Sequence, residues 1–197
     1  MSQRNLTSDW RSLEVGYVIS LAGVIDEHSG DAMIGPETDR PVVFDLDGVR
    51  RITSAGVLYW RKALGELQAS SYSFARARPA VVRQFNMVAG FGARGTLLSM
   101  YAPYYCEECD LEFQRLHDLA ADPRIMLNKR LPITTCKQCG NEAELDGSLE
   151  GYLAFADDYA VPKMDAVLRR LVSALPASEE DGEDASDELE ARRVAEA

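Results

Sequence analysis

The run from Val42 to Leu67, VVFDLDGVRRITSAGVLYWRKALGEL, sets the terms for the rest of the chain. Its first five residues, Val42 to Leu46, are almost continuously apolar and β-favouring, the pattern of a strand buried on both faces and therefore central in a sheet. Asp45 interrupts the run toward its end, Asp47-Gly48 offers turn chemistry, and Val49 and Ile52 return to the core. Thr53 and Ser54 then supply side-chain oxygens suited to capping a helix. The helix follows at once, because Val57, Trp60, Leu64 and Leu67 are spaced by three, four and three, with Arg61, Lys62 and Glu66 turned away from that stripe. A serine is thereby presented at the mouth of a central strand, on the first turn of a helix.

The flanking segments supply further layers. Leu13, Val15, Tyr17, Ile19 and Leu21 alternate with Glu14, Gly16 and Ser20, which predicts one strand over this stretch, and Ala22 to Glu27 leads out of it. Between His28 and Arg40, Gly30, Gly35 and Pro36 permit only a short or irregular helix. Ser71 to Ala77 reads as a short strand. Pro79 opens a helix to Val88, with Val81, Val82, Phe85 and Val88 inward. Gly90, Gly92 and Gly95 have the spacing of a dinucleotide fingerprint, but they follow a helix and precede a strand, the reverse of what pyrophosphate binding requires. They read as a helix-to-strand loop into a strand from Thr96 to Tyr101.

With this order of elements, the Val42–Leu67 stretch resembles the signature of the STAS domain, the fold of the anti-sigma factor antagonists. In that family an apolar strand ending near an Asp leads to an Asp-Ser-x-Gly turn and a helix, and the turn serine is phosphorylated. Here the turn reads Thr53-Ser54-Ala55-Gly56: Ser54 and Gly56 match, and Thr53 stands where many members have Asp. Gly23-Val24-Ile25-Asp26 is similar to the segment that ends the family's second strand. The resemblance covers about residues 10–102. It implies an α/β fold, a mixed sheet with helices packed on it, and a non-enzymatic role in bacterial signalling through protein-protein binding. By the same resemblance, Ser54 is a phosphorylation site, and Thr53, Ser54, Gly56, Val57, Leu58 and Tyr59 form a surface that docks a kinase-like or sensor protein. A plain capping role for Ser54 is the alternative.

The strongest chemical signal lies further on. Cys106, Cys109, Cys136 and Cys139 form two C-x-x-C pairs with 26 residues between them, and the chain has no other cysteine. Each such turn delivers two thiolates to one edge of a tetrahedron, so two turns complete a zinc site. The gap exceeds the usual ~15–20 residues, which a loop insertion accommodates at small entropic cost. Four protein ligands leave no open coordination position, so the expected cofactor is one structural zinc ion. A thioredoxin-type motif needs only one C-x-x-C, and disulfides would be reduced in the cytoplasm. The module resembles a zinc ribbon. Glu107, Glu108, Asp110, Glu112, Glu142, Glu144 and Asp146 crowd around the cysteines, which disfavours the rival reading of a nucleic-acid or transcription adaptor.

Between the cysteine pairs, Leu111 to Leu119 is a charged amphipathic stretch, and past Cys139-Gly140 a short hairpin or loop runs to Leu149. A helix is predicted from Pro162 to Leu175, with Met164, Val167, Leu168, Leu171 and Leu175 on one side. From Pro176 the chain is too acidic to bury a core and reads as a disordered acidic tail. Residues 176–197 hold nine acidic and two basic side chains, contributing −7 of the net −11 and leaving −4 for the rest. The division that follows is a STAS-like domain over 1–102, a four-cysteine zinc-ribbon-like module with a C-terminal helix over 103–175, and the tail over 176–197. No apolar run approaches the ~20 residues of a membrane span, and the polar start MSQRNLTSDW lacks a signal-peptide core, so a cytoplasmic location is expected.

A second rival, a small hydrolase, would use Asp45 and Asp47 or Ser54. No partner lysine stands out for the two aspartates, which read instead as a strand-end pair. Ser54 lacks the G-x-S-x-G elbow. His28 and His117, the only histidines, lie among polar residues and are expected to be solvated.

Overall fold

A computed structural model describes residues 5–33 and 38–178. The tail from residue 179 onward, and with it the expectation of disorder there, lies outside the described residues.

Five strands make the first sheet: β1 (Leu6–Leu13), β2 (Gly16–Ile25), β3 (Val42–Ile52), β4 (Tyr72–Ala75) and β5 (Thr96–Leu97), in the spatial order β1-β2-β3-β4-β5. The β1/β2 pair is antiparallel and the others are parallel, which makes the sheet mixed and puts β3 at its centre. The stretch predicted as one strand over Leu13–Leu21 is in fact the corner of the β1/β2 hairpin, with a turn at Glu14-Val15. Both arms share the same period of two, so alternation alone does not register the reversal. β1 escapes a hydrophobic pattern search because it is an edge strand, with Leu6 as its only buried residue.

The turn expected at Asp47-Gly48 is also absent. β3 continues to Ile52, and its register against β2 shifts twice, between Ser20 and Ala22 and again between Gly23 and Val24. Gly48 is a close-approach residue rather than a turn residue, since a Cβ there would overlap Ala22 on the neighbouring strand.

Alternation along β3 sorts its side chains onto two faces. Val42, Phe44 and Leu46 enter the main core with Ile19, Phe74, Phe85 and Phe91. Three helices belong to that side: α1 (Gly30–Met33), α2 (Ser54–Glu66) and α3 (Pro79–Met87). Trp60 of α2 stacks on Phe91 at 5.6 Å and donates its indole N–H to the Phe91 carbonyl at 3.1 Å, so the largest core side chain is also hydrogen-bonded. On the opposite face Val18, Val43 and Ala75 are covered by Leu171.

The second sheet grows out of the first. After β5 only Leu98 intervenes before β6 (Ser99–Cys106), and a parallel bridge between Ala77 and Met100 carries strand pairing across the junction. β6 lies between β7 (Leu111–Asp118) and β9 (Glu142–Leu145), with β8 (Thr134–Thr135) outside β9, all antiparallel. The amphipathic stretch Leu111–Leu119 is thus mostly strand. A short helix, α4 (Arg124–Asn128), lies in the long connection between β7 and β8. Beyond β9, α5 (Leu149–Tyr152) and a 3-10 turn at Ala154–Asp157 return to α3, where the Asn86 amide bonds both the Tyr152 carbonyl and the Phe155 N–H.

The last helix, α6 (Ala166–Val172), is shorter than the predicted Pro162–Leu175 because Asp165 caps it, its carboxylate accepting from the Leu168 N–H at 2.8 Å. It packs on β2 and β3 of the first sheet, although it follows the cysteine-bearing half in sequence.

Candidate metal centre and helix-start surface

Each cysteine pair occupies a hairpin. β6 ends at Cys106 and β7 begins at Leu111; β8 ends just before Cys136 and β9 begins at Glu142. In both turns the residue after the second cysteine adopts positive φ, Asp110 at 50° and Gly140 at 77°, which folds the chain back over its own thiols. The β6/β9 pairing, Tyr104 with Leu145 and Tyr105 with Glu144, sets the two hairpins side by side. All four sulfur atoms then fall within 4.8 Å of one another.

Thiolates about 2.3 Å from a tetrahedral centre lie about 3.8 Å apart. The Cys106–Cys139 separation is 3.6 Å and the Cys109–Cys136 separation 4.0 Å, and none of the four is in a disulfide. The donor set and spacing therefore fit a four-coordinate metal ion. Backbone N–H groups of Cys139 and Gln138 draw the Cys136 thiol down to about 7. The Cys109 thiol is pushed up to about 12, first by its hydrogen bond with Cys139 and then by burial. Cys106 is raised as well, chiefly by burial. Four thiols this close cannot all ionise unless a cation offsets their charge.

The second candidate region is the start of α2. Thr53 is the N-cap, its hydroxyl accepting from the Gly56 N–H at 3.0 Å. Ser54, by contrast, is the first helical residue and is exposed, so the cap does not depend on it. Gly56 is buried where a Cβ would overlap the Ile25 carbonyl oxygen, and the Thr53 N–H donates to that same carbonyl at 2.9 Å. Asp26, next in the chain, accepts from Asn5, the His28 N–H and the Ser29 hydroxyl, and these bonds hold its carboxyl below the ordinary range, Asn5 contributing most. Together these contacts seat the helix start on the end of β2. Leu58 is 67% exposed and Tyr59 40%, while Val57 is half-buried.

Asp45 and Asp47 are not bare strand-end carboxylates. They lie on the face of β3 opposite the main core, beside Arg76 and Arg78, which come from the end of β4 and the start of α3. The Arg76 guanidinium forks onto Asp45, with Nε 2.8 Å from Oδ1 and Nη2 bonded to Oδ2, and its Nη1 lies 3.3 Å from Asp47. Arg78 reaches Asp47 Oδ1 at 2.7 Å and lies over the Tyr101 ring at 4.1 Å. Burial opposes the charge on Arg76, but the hydrogen bond and charge of Asp45, with Asp47 behind it, more than offset this and raise its pKa. This network was missed in the sequence. Its signal is a second i, i+2 pair, Arg76 and Arg78, one strand over from Asp45 and Asp47.

His28 is exposed, as expected, but His117 is only 6% exposed. Its Nε2 lies 3.0 Å from the Tyr104 hydroxyl, and burial lowers its pKa to about 4. Strand alternation turns it inward while Leu116 and Asp118 on either side face out. Among the described residues no helix is long and apolar enough to cross a membrane. In comparisons with known proteins, the chain matches no family model and no curated protein.

Proposed function

We propose that this is a non-enzymatic binding protein of the STAS type, acting in bacterial signalling in the cytoplasm. Its partner, a kinase-like or sensor protein, docks on the surface formed by Thr53, Ser54, Gly56, Val57, Leu58 and Tyr59. The second sheet is a zinc ribbon whose single structural ion sits on Cys106, Cys109, Cys136 and Cys139. The observation that carries the docking surface is the division of labour at the helix start. Thr53 caps, Gly56 seats the turn, and Ser54 stands exposed beside Leu58.

A phosphate on Ser54 would add about −1.5 to −2 charges at the positive end of a 13-residue helix, which the fold tolerates. A partner packed on Leu58 and Tyr59 would meet a bulky hydrated anion. The second sheet favours a protein over a nucleic acid, because Glu112, Tyr105 and Glu144 share one cross-strand row on its exposed face.

The test compares Ser54→Ala and Ser54→Asp for partner capture from the host. Ser54→Ala is expected to retain the partner and Ser54→Asp to lose it, with both proteins folded. Equal capture by the two variants would remove the switch from the reading.

A further inference from the structure

β1 is an edge strand of eight residues whose only guard against pairing is one exposed acid and one exposed base, Asp9 and Arg11, which cancel in charge. It has no proline, no lysine and no bulge, and its register against β2 is unbroken from Leu6 to Leu13. Among the described residues its outer edge pairs with no other strand.

Which groups point outward follows from one bond. The Val24 N–H donates to the Asn5 carbonyl at 2.9 Å, so Asn5 and, by alternation, Thr7, Asp9, Arg11 and Leu13 turn their backbone groups toward β2. Leu6, Ser8, Trp10 and Ser12 therefore present their N–H and C=O groups to the outside.

The sequence of that edge, Ser8-Asp9-Trp10-Arg11-Ser12, is self-complementary about Trp10. We propose that a second copy of this chain pairs antiparallel with β1 across a two-fold axis at Trp10, joining two five-stranded sheets into one. In that register Trp10 faces Trp10 and Ser8 faces Ser12 as hydrogen-bonded pairs, using the outward groups. Asp9 then faces Arg11 twice, in the non-hydrogen-bonded positions where side chains approach most closely. Asp9 and Arg11 are both exposed, and one Arg11 nitrogen already bonds the Ala174 carbonyl at 2.6 Å, which leaves the rest of its fork for the partner. Shifting the register by two residues loses both ion pairs, so the charges select the alignment as well as the partner.

Sedimentation of the full chain over a range of concentrations tests the proposal. The mass should rise with concentration from 21.8 kDa toward twice that value. Asp9→Arg or Arg11→Asp, which set like charges opposite each other, should raise the dimer dissociation constant by about tenfold or more. The double swap, Asp9→Arg with Arg11→Asp, should restore pairing, and Ser8→Pro, which deletes an outward N–H in each copy, should abolish it. Circular dichroism should show all four variants folded, since none of these side chains belongs to the core. A wild type that stays monomeric, a dimer indifferent to Asp9→Arg, or a double swap that remains dissociated would each overturn the proposal.

Discussion

Arg76 sits at φ 54° in a backbone region that L-residues seldom occupy, and the bend is what carries its side chain over Asp45 and Asp47. Removing it strands the buried Asp45 carboxylate and leaves Asp47 with Arg78 alone. Arg76→Met is therefore expected to cost about 3–5 kcal/mol in denaturant unfolding. Arg76→Met combined with Asp45→Asn should cost clearly less, because it leaves one fewer uncompensated charge. At the α2 start, Thr53→Ala should lose about 1 kcal/mol of stability, since the bond to the Gly56 N–H goes with it, whereas Ser54→Ala should lose little. His117 makes a prediction in pH. Its folded pKa of about 4 lies below the ordinary value of 6.5, so between these values the unfolded chain binds the extra proton. Stability from this group is complete above pH 6.5 and falls as pH drops toward 4. The wild type should therefore lose more stability than His117→Gln across that window, by up to about 3 kcal/mol; parallel pH profiles would contradict the buried neutral imidazole.

Elements with strong internal periodicity were legible in the sequence, and those defined by their neighbours were not. α2 and α3 follow from their apolar stripes and from Pro79 at the first turn, and the core of β3 from Val42 to Leu46. The four cysteines declared their own proximity through spacing alone, because two thiol-bearing turns have few other uses. β1 was not readable, since an exposed edge strand has no hydrophobic face to pattern. Asp47-Gly48 reads as a turn although β3 runs through it, because Gly48 serves a close approach to Ala22, a contact that exists only once β2 lies alongside. The destination of α6 was also hidden, as its stripe specifies a buried face but not the surface that buries it. With Leu171 fully buried against Val18, Val43 and Ala75, Leu171→Ala should destabilise the first sheet by about 2–5 kcal/mol. Thermal unfolding followed by circular dichroism would register that loss, and an unchanged midpoint would mean that α6 is not part of this core.

At the scale of the whole molecule, the chain crosses between its two sheets and comes back. β6 leaves the first sheet at Met100, the two cysteine hairpins close the second sheet, and α5, the 3-10 turn and α6 return to α3, β2 and β3. The two sheets rest on different physics. The first has a continuous aromatic core around Phe44, Trp60, Phe74 and Phe85, whereas the buried cluster of the second is five residues, two of them cysteines. So small a cluster is expected to make the second sheet depend on a metal ion bound by its thiols. The most direct measurement is native mass spectrometry with metal analysis of the full chain purified without added metal, paired with hydrogen exchange before and after chelation. The account predicts one zinc per chain, and on its removal a loss of protection across β6, β8 and β9 while β2, β3 and β4 stay protected. A metal-free chain with four free thiols and a second sheet as protected as the first would contradict it.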